Sequence, residues 1–347
     1  MRRLIYIFII GLLLCSYTWA DGSRYASKSL LSEGKWVKIR VDKTGIYKLS
    51  YADLKNMGFS DPSKVSVHGY GGWPLDEDFS KEYIDDVPST PVWRGSDYLL
   101  FYGKGPVKWE YDSSSQTFVH TNNPYSLYGY YFVTDATPTN DMTSVAQASG
   151  ATNRITTYDD YLVHEQELVS LAKSGRELYG EDFSGATPRT LSTFSSIPGI
   201  TNEDAKVTMS FVSKVTSGTG VASLSINQSN VLDVSIRSNR EEYVKALEGV
   251  STAVWKGEKS EKNSVVVSYN SASHNNVRLN YVRLHFKRTL QPYGAYTFFR
   301  SIASIGNVSR FVVQGANANT LVFDVTDAQR VRLMETELNG SEPVSYT

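Results

Sequence analysis

Beyond Thr190 the sequence runs as short apolar segments parted by polar turns, eight times over: residues 206–212, 222–226, 231–236, 264–269, 277–288, 297–301, 309–314 and 320–325. In residues 282–287 Val, Leu and Phe take one side while Arg, His and Lys take the other, the pattern of a strand with one face on a core and one in water. Nothing recurs at a fixed period, which argues against a propeller or solenoid. The predicted fold is therefore mainly β, with a jelly-roll-like β-sandwich over residues 190–330. The 23 tyrosines, set among Ser, Thr, Asn and Gly, suit short strands and turns.

Upstream, residues 36–41 alternate apolar and basic, residues 42–45 make a turn, and residues 46–49 resume, which reads as a β-hairpin. Ser50 with Asp53 three residues on, Leu54, Met57 and a stopping Gly58 predict one short helix. Strands are expected at 64–69, 98–102 and 128–134, so residues 21–135 form a small antiparallel β domain with one short helix. Residues 136–189 read as a linker. Within it Tyr158, Tyr161, Leu162, Glu165, Leu168, Val169 and Ala172 fall near helical spacing, predicting a connecting helix that ends at Gly175, with an extended crossover as the alternative. Residues 331–347 read as the start of a further segment cut short.

Residues 1–20 look like a cleavable export signal: Arg2 and Arg3, an apolar run from Leu4 to Leu14, then Thr18, Trp19 and Ala20 before a cut between Ala20 and Asp21. The cut would remove Cys15, the chain's one cysteine, leaving no thiol nucleophile, disulfide or thiolate ligand. A membrane anchor needs about 20 apolar residues, more than this run supplies. Lipidation at Cys15 is disfavoured by the bulky Leu14 before it. The expectation is an exported protein with no stable membrane span after cleavage. Lys and Arg number 35 against 36 Asp and Glu, a balance that does not advertise nucleic acid.

Chemistry-bearing clusters are sparse. The histidines, His68, His120, His164, His274 and His285, stand singly with no paired-ligand spacing, and His164 and Glu165, one apart on a helix, would diverge. Asp76, Glu77, Asp78, Asp85 and Asp86 offer oxygens to calcium, but the loop lacks an EF-hand's glycine and closing glutamate and reads as a solvated acidic loop. There is no G-x-S-x-G elbow, and residues 69–72 are glycine-rich without the lysine of a phosphate loop. Trp73, Trp93, Trp109 and the tyrosines of 125–131 suggest a sugar-stacking platform only if their rings share an exposed face. No catalytic, cofactor-binding or metal-binding residue is assigned, and no cofactor is expected.

Several segments, in order, carry a resemblance: Gly45-Ile46-Tyr47-Lys48-Leu49, Val67-His68-Gly69-Tyr70-Gly71-Gly72, and residues 97–106 followed by Trp109, His120, Asn123 and Tyr125. They continue through His164-Glu165, Ser174-Gly175-Arg176-Glu177, Tyr179-Gly180-Glu181, Asn280-Tyr281-Val282, Phe299-Arg300 and residues 323–327, with Leu178 and Phe323 where tryptophan is more typical. Together they resemble the N-terminal, non-catalytic region of the PorU-type sortases of type IX secretion, in the gingipain-like cysteine peptidase family. The resemblance implies a chain that stops before the peptidase domain and is not itself an enzyme. It also implies a scaffold at the periplasm, outer membrane or cell surface of a Gram-negative bacterium, with type IX cargo or surface translocon components as partners. The alternative is an exported glycan-binding β-sandwich using exposed aromatic residues.

Overall fold

The computed structural model describes residues 25–78, 80–81, 84–171, 176–238, 246–271, 276–339 and 342–346. The export signal, the Ala20–Asp21 junction, Cys15 and His274 lie outside the described residues. The first nine strands are β1 (Val37–Val41), β2 (Gly45–Ser50), β3 (Ser66–Gly71), β4 (Ser89–Thr90), β5 (Val92–Arg94), β6 (Tyr98–Gly103), β7 (Val107–Asp112), β8 (Thr117–Asn122) and β9 (Gly129–Thr134). They form one sheet in the order β1-β9-β3-β4, a second in the order β2-β6-β5, and a separate β7–β8 hairpin. Leu54, Phe59, Val67, Leu99, Phe101 and Tyr131 belong to one buried core shared by the two sheets.

The expected hairpin of residues 36–49 does not form. β1 pairs with β9, Ile39 opposite Tyr131, while β2 pairs with β6, Tyr47 opposite Phe101. The turn between them carries the chain from one sheet to the other, and the Tyr47 hydroxyl ties it by donating to the Lys43 carbonyl at 2.7 Å. Alternation identifies a strand but not its partner.

The short helix, α1 (Tyr51–Asn56), matches its sequence signals. Ser50 Oγ accepts from the Asp53 N–H at 3.0 Å and donates to the Asp53 carboxylate at 2.6 Å. At the other end the Phe59 N–H reaches Leu54 O and the Gly58 N–H reaches Lys55 O, the paired bonds of a Schellman stop. Gly58 sits at φ +88°, and Phe59 and Leu54 seal the turn inside the core. Gly58→Ala should cost about 1–2 kcal/mol, the penalty of a left-handed Cβ, read as a lowered denaturation midpoint.

After two short strands, β10 (Ser144–Val145) and β11 (Asn153–Ile155), come the eight strands of the sandwich. These are β12 (Thr157–Glu165), β13 (Arg189–Thr190), β14 (Ala205–Ser213), β15 (Thr219–Ile226), β16 (Ser229–Arg237), β17 (Leu247–Trp255), β18 (Val265–Tyr269) and β19 (Val277–Thr289). They make two four-stranded sheets, β12-β19-β14-β17 and β13-β18-β15-β16. Counted along the eight, the orders are 1-8-3-6 and 2-7-4-5, the double Greek key of a jelly roll. Between the sheets lie Phe183, Phe194, Met209, Phe211, Leu279 and Phe286, each at most 1 % exposed.

The expected connecting helix is strand β12 instead, the extended alternative. Its spacing misled because both faces are covered: Leu162 packs against the sandwich core, and Tyr161 is stacked under Trp109 on the other side. Apolar residues on both faces erase the period of two. Residues 297–301 form no strand; Arg300 O accepts from the Asp159 N–H beside β12. β17, missed in the sequence, presents Glu248, Val250, Thr252 and Val254 outward and looks polar and turn-like.

The last strands are β20 (Ser309–Val312), β21 (Val322–Asp324), β22 (Arg332–Met334), β23 (Thr336–Asn339) and β24 (Glu342–Tyr346). β20 and β21 fall where strands were expected but lie outside the jelly roll. β11 pairs in parallel with β20, and β10 in parallel with β22, so the segment read as a linker is woven into sheets made by the end of the chain. Parallel pairing needs a long crossover, and here the entire jelly roll supplies it.

Candidate functional site

The outward face of the β12–β19 pair was expected to be wet. It is covered by the β7–β8 hairpin. Along β12, Asp159, Tyr161 and Glu165 point outward, and along β19 so do Tyr281, Arg283, His285 and Lys287, in a register that sets Tyr161 opposite His285 and Val163 opposite Arg283. Arg283 and His285 are each only 7 % exposed, which removes the solvent expected on that side.

The hairpin is built for this contact. Asp112 Oδ1 accepts from the Ser114 N–H at 2.9 Å, fixing the turn, and the register sets Trp109 beside His120 and Tyr111 beside Phe118. Trp109 then lies flat on Tyr161, centroids 3.8 Å apart and planes within 16°. Phe118 meets His285 edge-on at 5.3 Å, and His120 meets Tyr281 edge-on at 4.9 Å. The Arg300 guanidinium also packs on the Tyr161 ring, 4.3 Å from its centroid. Aromatic pairs of this kind add about 0.5–1.5 kcal/mol each beyond the area they bury.

Carboxylates thread the seam. His120 Nε2 is 2.8 Å from Glu165 Oε2, and His285 Nε2 is 3.0 Å from Asp159 Oδ1, whose other oxygen takes Lys287 Nζ at 2.8 Å and the Ile302 N–H at 2.7 Å. Burial alone would raise the Asp159 carboxyl; the hydrogen bonds from His285 and Lys287 outweigh it and hold it below the ordinary range. Burial pulls the Arg283 guanidinium down, and burial raises the Tyr161 and Tyr281 hydroxyls. Beside the seam, Arg288 binds Asp160 at 2.9 Å and stacks over Tyr293 at 3.6 Å.

The remaining singled-out residues fall elsewhere. His164, at the end of β12, sits between Thr193 Oγ1 at 2.9 Å and Glu181 at 2.7 Å, so it and Glu165 do diverge, along a strand rather than a helix. His68 is buried, its Nε2 2.8 Å from Thr137 Oγ1. In the acidic loop Asp76 pairs with Lys81 at 2.6 Å, Glu77 with Arg176 at 2.8 Å, Asp86 accepts from Ser29 at 2.7 Å and Asp85 accepts from the Ala26 N–H. Among the described residues no three His, Cys, Asp or Glu side chains converge as metal ligands. The three tryptophans are taken by separate partners: Trp109 by Tyr161, Trp93 by Tyr98 at 5.7 Å, and Trp73 by a hydrogen bond to Thr44. The glycan-binding alternative therefore has no support. The missed seam did leave a signal, two alternating runs around residues 113–116 that read as a hairpin once the turn is recognised.

No family model and no curated protein matches this sequence. Among solved structures, the crystal structure of dimeric latent PorU from Porphyromonas gingivalis superposes with a TM-score of 0.86 and 30% identity, covering 93% of this chain. The chain is PorU-like. It spans 31% of the length of that PorU chain. Two other solved structures, that of BuGH86 with neoagarooctaose and that of the uncharacterized protein lmo2446 from Listeria monocytogenes, match at 10% and 7% identity. They cover 74% and 72% of this chain and 33% and 19% of their own, both with a TM-score of 0.24, and carry no inference. Among the described residues of the PorU-like chain no helix is long and apolar enough to cross a membrane.

Proposed function

We propose that this chain is the non-catalytic front part of a PorU-like sortase of type IX secretion, a scaffold at the cell surface or outer membrane that engages cargo or translocon components. The supporting observation is the superposition with PorU over 93% of the chain at 30% identity. The seam fits the reading, because aromatic stacking and charge pairing hold the hairpin on the jelly roll. Its histidines and carboxylates are spent on one another, so no nucleophile is assigned there. The one cysteine, Cys15, falls in the expected export signal, so residues 21–347 carry no thiol.

The test is to mix purified residues 21–347 with a type IX cargo domain bearing its C-terminal signal. Saturable binding without cleavage is the expected outcome. Specific cleavage, or no association with the cargo domain or with purified translocon components, contradicts the proposal.

A further inference from the structure

Strand β1 lies at the edge of its sheet. It pairs with β9 in unbroken register, from Val37 opposite Val133 to Val41 opposite Gly129, and among the described residues no strand lies along its other side. In an antiparallel ladder every second residue turns its N–H and C=O away from the paired strand. Among the described residues those groups of β1 have no second set of hydrogen bonds. The core is open at the same place. Val37 and Ile39 pack against it but are only partly buried, whereas Val133 and Tyr131, which face them on β9, are at most 1 % exposed.

The outward side of this edge is cationic. Lys38 stands opposite Phe132 and Arg40 opposite Tyr130, and both cations are exposed. Each leans diagonally onto the next ring along: Lys38 Nζ is 3.8 Å from the Tyr130 centroid, and the Arg40 guanidinium is 4.3 Å from that of Tyr128. Among the described residues neither has a carboxylate within ion-pair distance. The rings therefore order two long side chains in advance while leaving their charges uncompensated.

We propose that the free edge of β1 is a docking site for an extended acidic segment of a partner protein, in which Asp or Glu alternates with apolar residues. Added as a strand, such a segment takes up the unpaired N–H and C=O groups. Its side-chain period of two then sets carboxylates beside Lys38 and Arg40 and apolar side chains over Val37 and Ile39. The same cations exclude the occupant that an open edge otherwise invites, a second copy of this strand, because antiparallel self-pairing would set Lys38 and Arg40 against like charges. This inference goes beyond the scaffold reading and does not rest on it.

The probe is a fluorescein-labelled seven-residue peptide alternating glutamate and valine, titrated with the intact chain and followed by fluorescence anisotropy. Saturable binding is expected, about tenfold weaker for a peptide of the same composition with its glutamates grouped at one end, and about tenfold weaker for the Lys38→Glu/Arg40→Glu chain. Both side chains are exposed, so the fold should survive the reversal, and the milder Lys38→Gln/Arg40→Gln pair should give an intermediate loss. With peptide bound, hydrogen exchange should slow across Val37–Val41 and stay unchanged across Leu247–Trp255, an edge strand without these cations. Absence of saturable binding, equal affinity for the grouped peptide, indifference to the charge reversal, or slowing at Leu247–Trp255 instead overturns the assignment. Tighter binding of an oligothymidylate of equal charge also overturns it, in favour of nucleic acid.

Discussion

Asp159→Asn will lower the free energy of unfolding by about 3 kcal/mol, the lower end of what removing one partner from a buried charge cluster costs. Asp159 is 1 % exposed and satisfies three donors, from His285, Lys287 and the Ile302 backbone. The asparagine amide keeps the shape but brings N–H groups where only acceptors fit, and it leaves the Lys287 ammonium without its counter-charge. Lys287 is 23% exposed and regains some water, which keeps the loss at the lower end. The pH dependence distinguishes charge from shape. The folded carboxyl sits below its ordinary value, so its contribution is complete above the unfolded pKa of about 3.9 and disappears as pH falls through the folded one. Denaturant titrations should show the gap between the parent and Asp159→Asn widest near neutrality and shrinking below about pH 4. A gap that does not change with pH would mean that shape, not charge, is what Asp159 supplies.

Trp109→Ala should cost about 3 kcal/mol and loosen the hairpin selectively. The ring covers Tyr161 face to face and touches His120 at 5.2 Å, so its loss opens the seam at its centre and lets water reach the His120–Glu165 and Asp159–His285 pairs. Hydrogen exchange should accelerate across Val107–Asp112 and Thr117–Asn122 while Ala205–Ser213, in the middle of the jelly roll, keeps its protection. Equal acceleration in all three would place Trp109 in a general core rather than in a seam.

Much of this architecture was legible because strands with one dry face announce themselves. β14, β15, β16, β18 and β19 appear where apolar alternation is clean, and α1 appears because Ser50, Asp53 and Gly58 spell its ends. What escaped was pairing over distance. Nothing local to residues 36–49 says that β1 belongs with β9, and nothing in residues 144–155 says that two short strands will find partners at Ser309–Val312 and Arg332–Met334.

The candidate site escaped for a related reason. Arg283, His285 and Lys287 carry the alternation of a solvated face, and only the fold brings Trp109, Phe118 and His120 over it. His120 and Glu165 are 45 residues apart, and His285 and Asp159 are 126 apart, so no motif could have joined them. β12 was misread because Tyr158, Leu162 and Tyr161 serve different packing surfaces on one strand.

The seam makes the hairpin and the jelly roll one cooperative body, and differential scanning calorimetry of residues 21–347 tests that most directly. The expected trace is a single transition whose calorimetric and van't Hoff enthalpies agree, with Trp109→Ala splitting it in two. Two separate transitions in the unsubstituted protein, unmoved by Trp109→Ala, would contradict it.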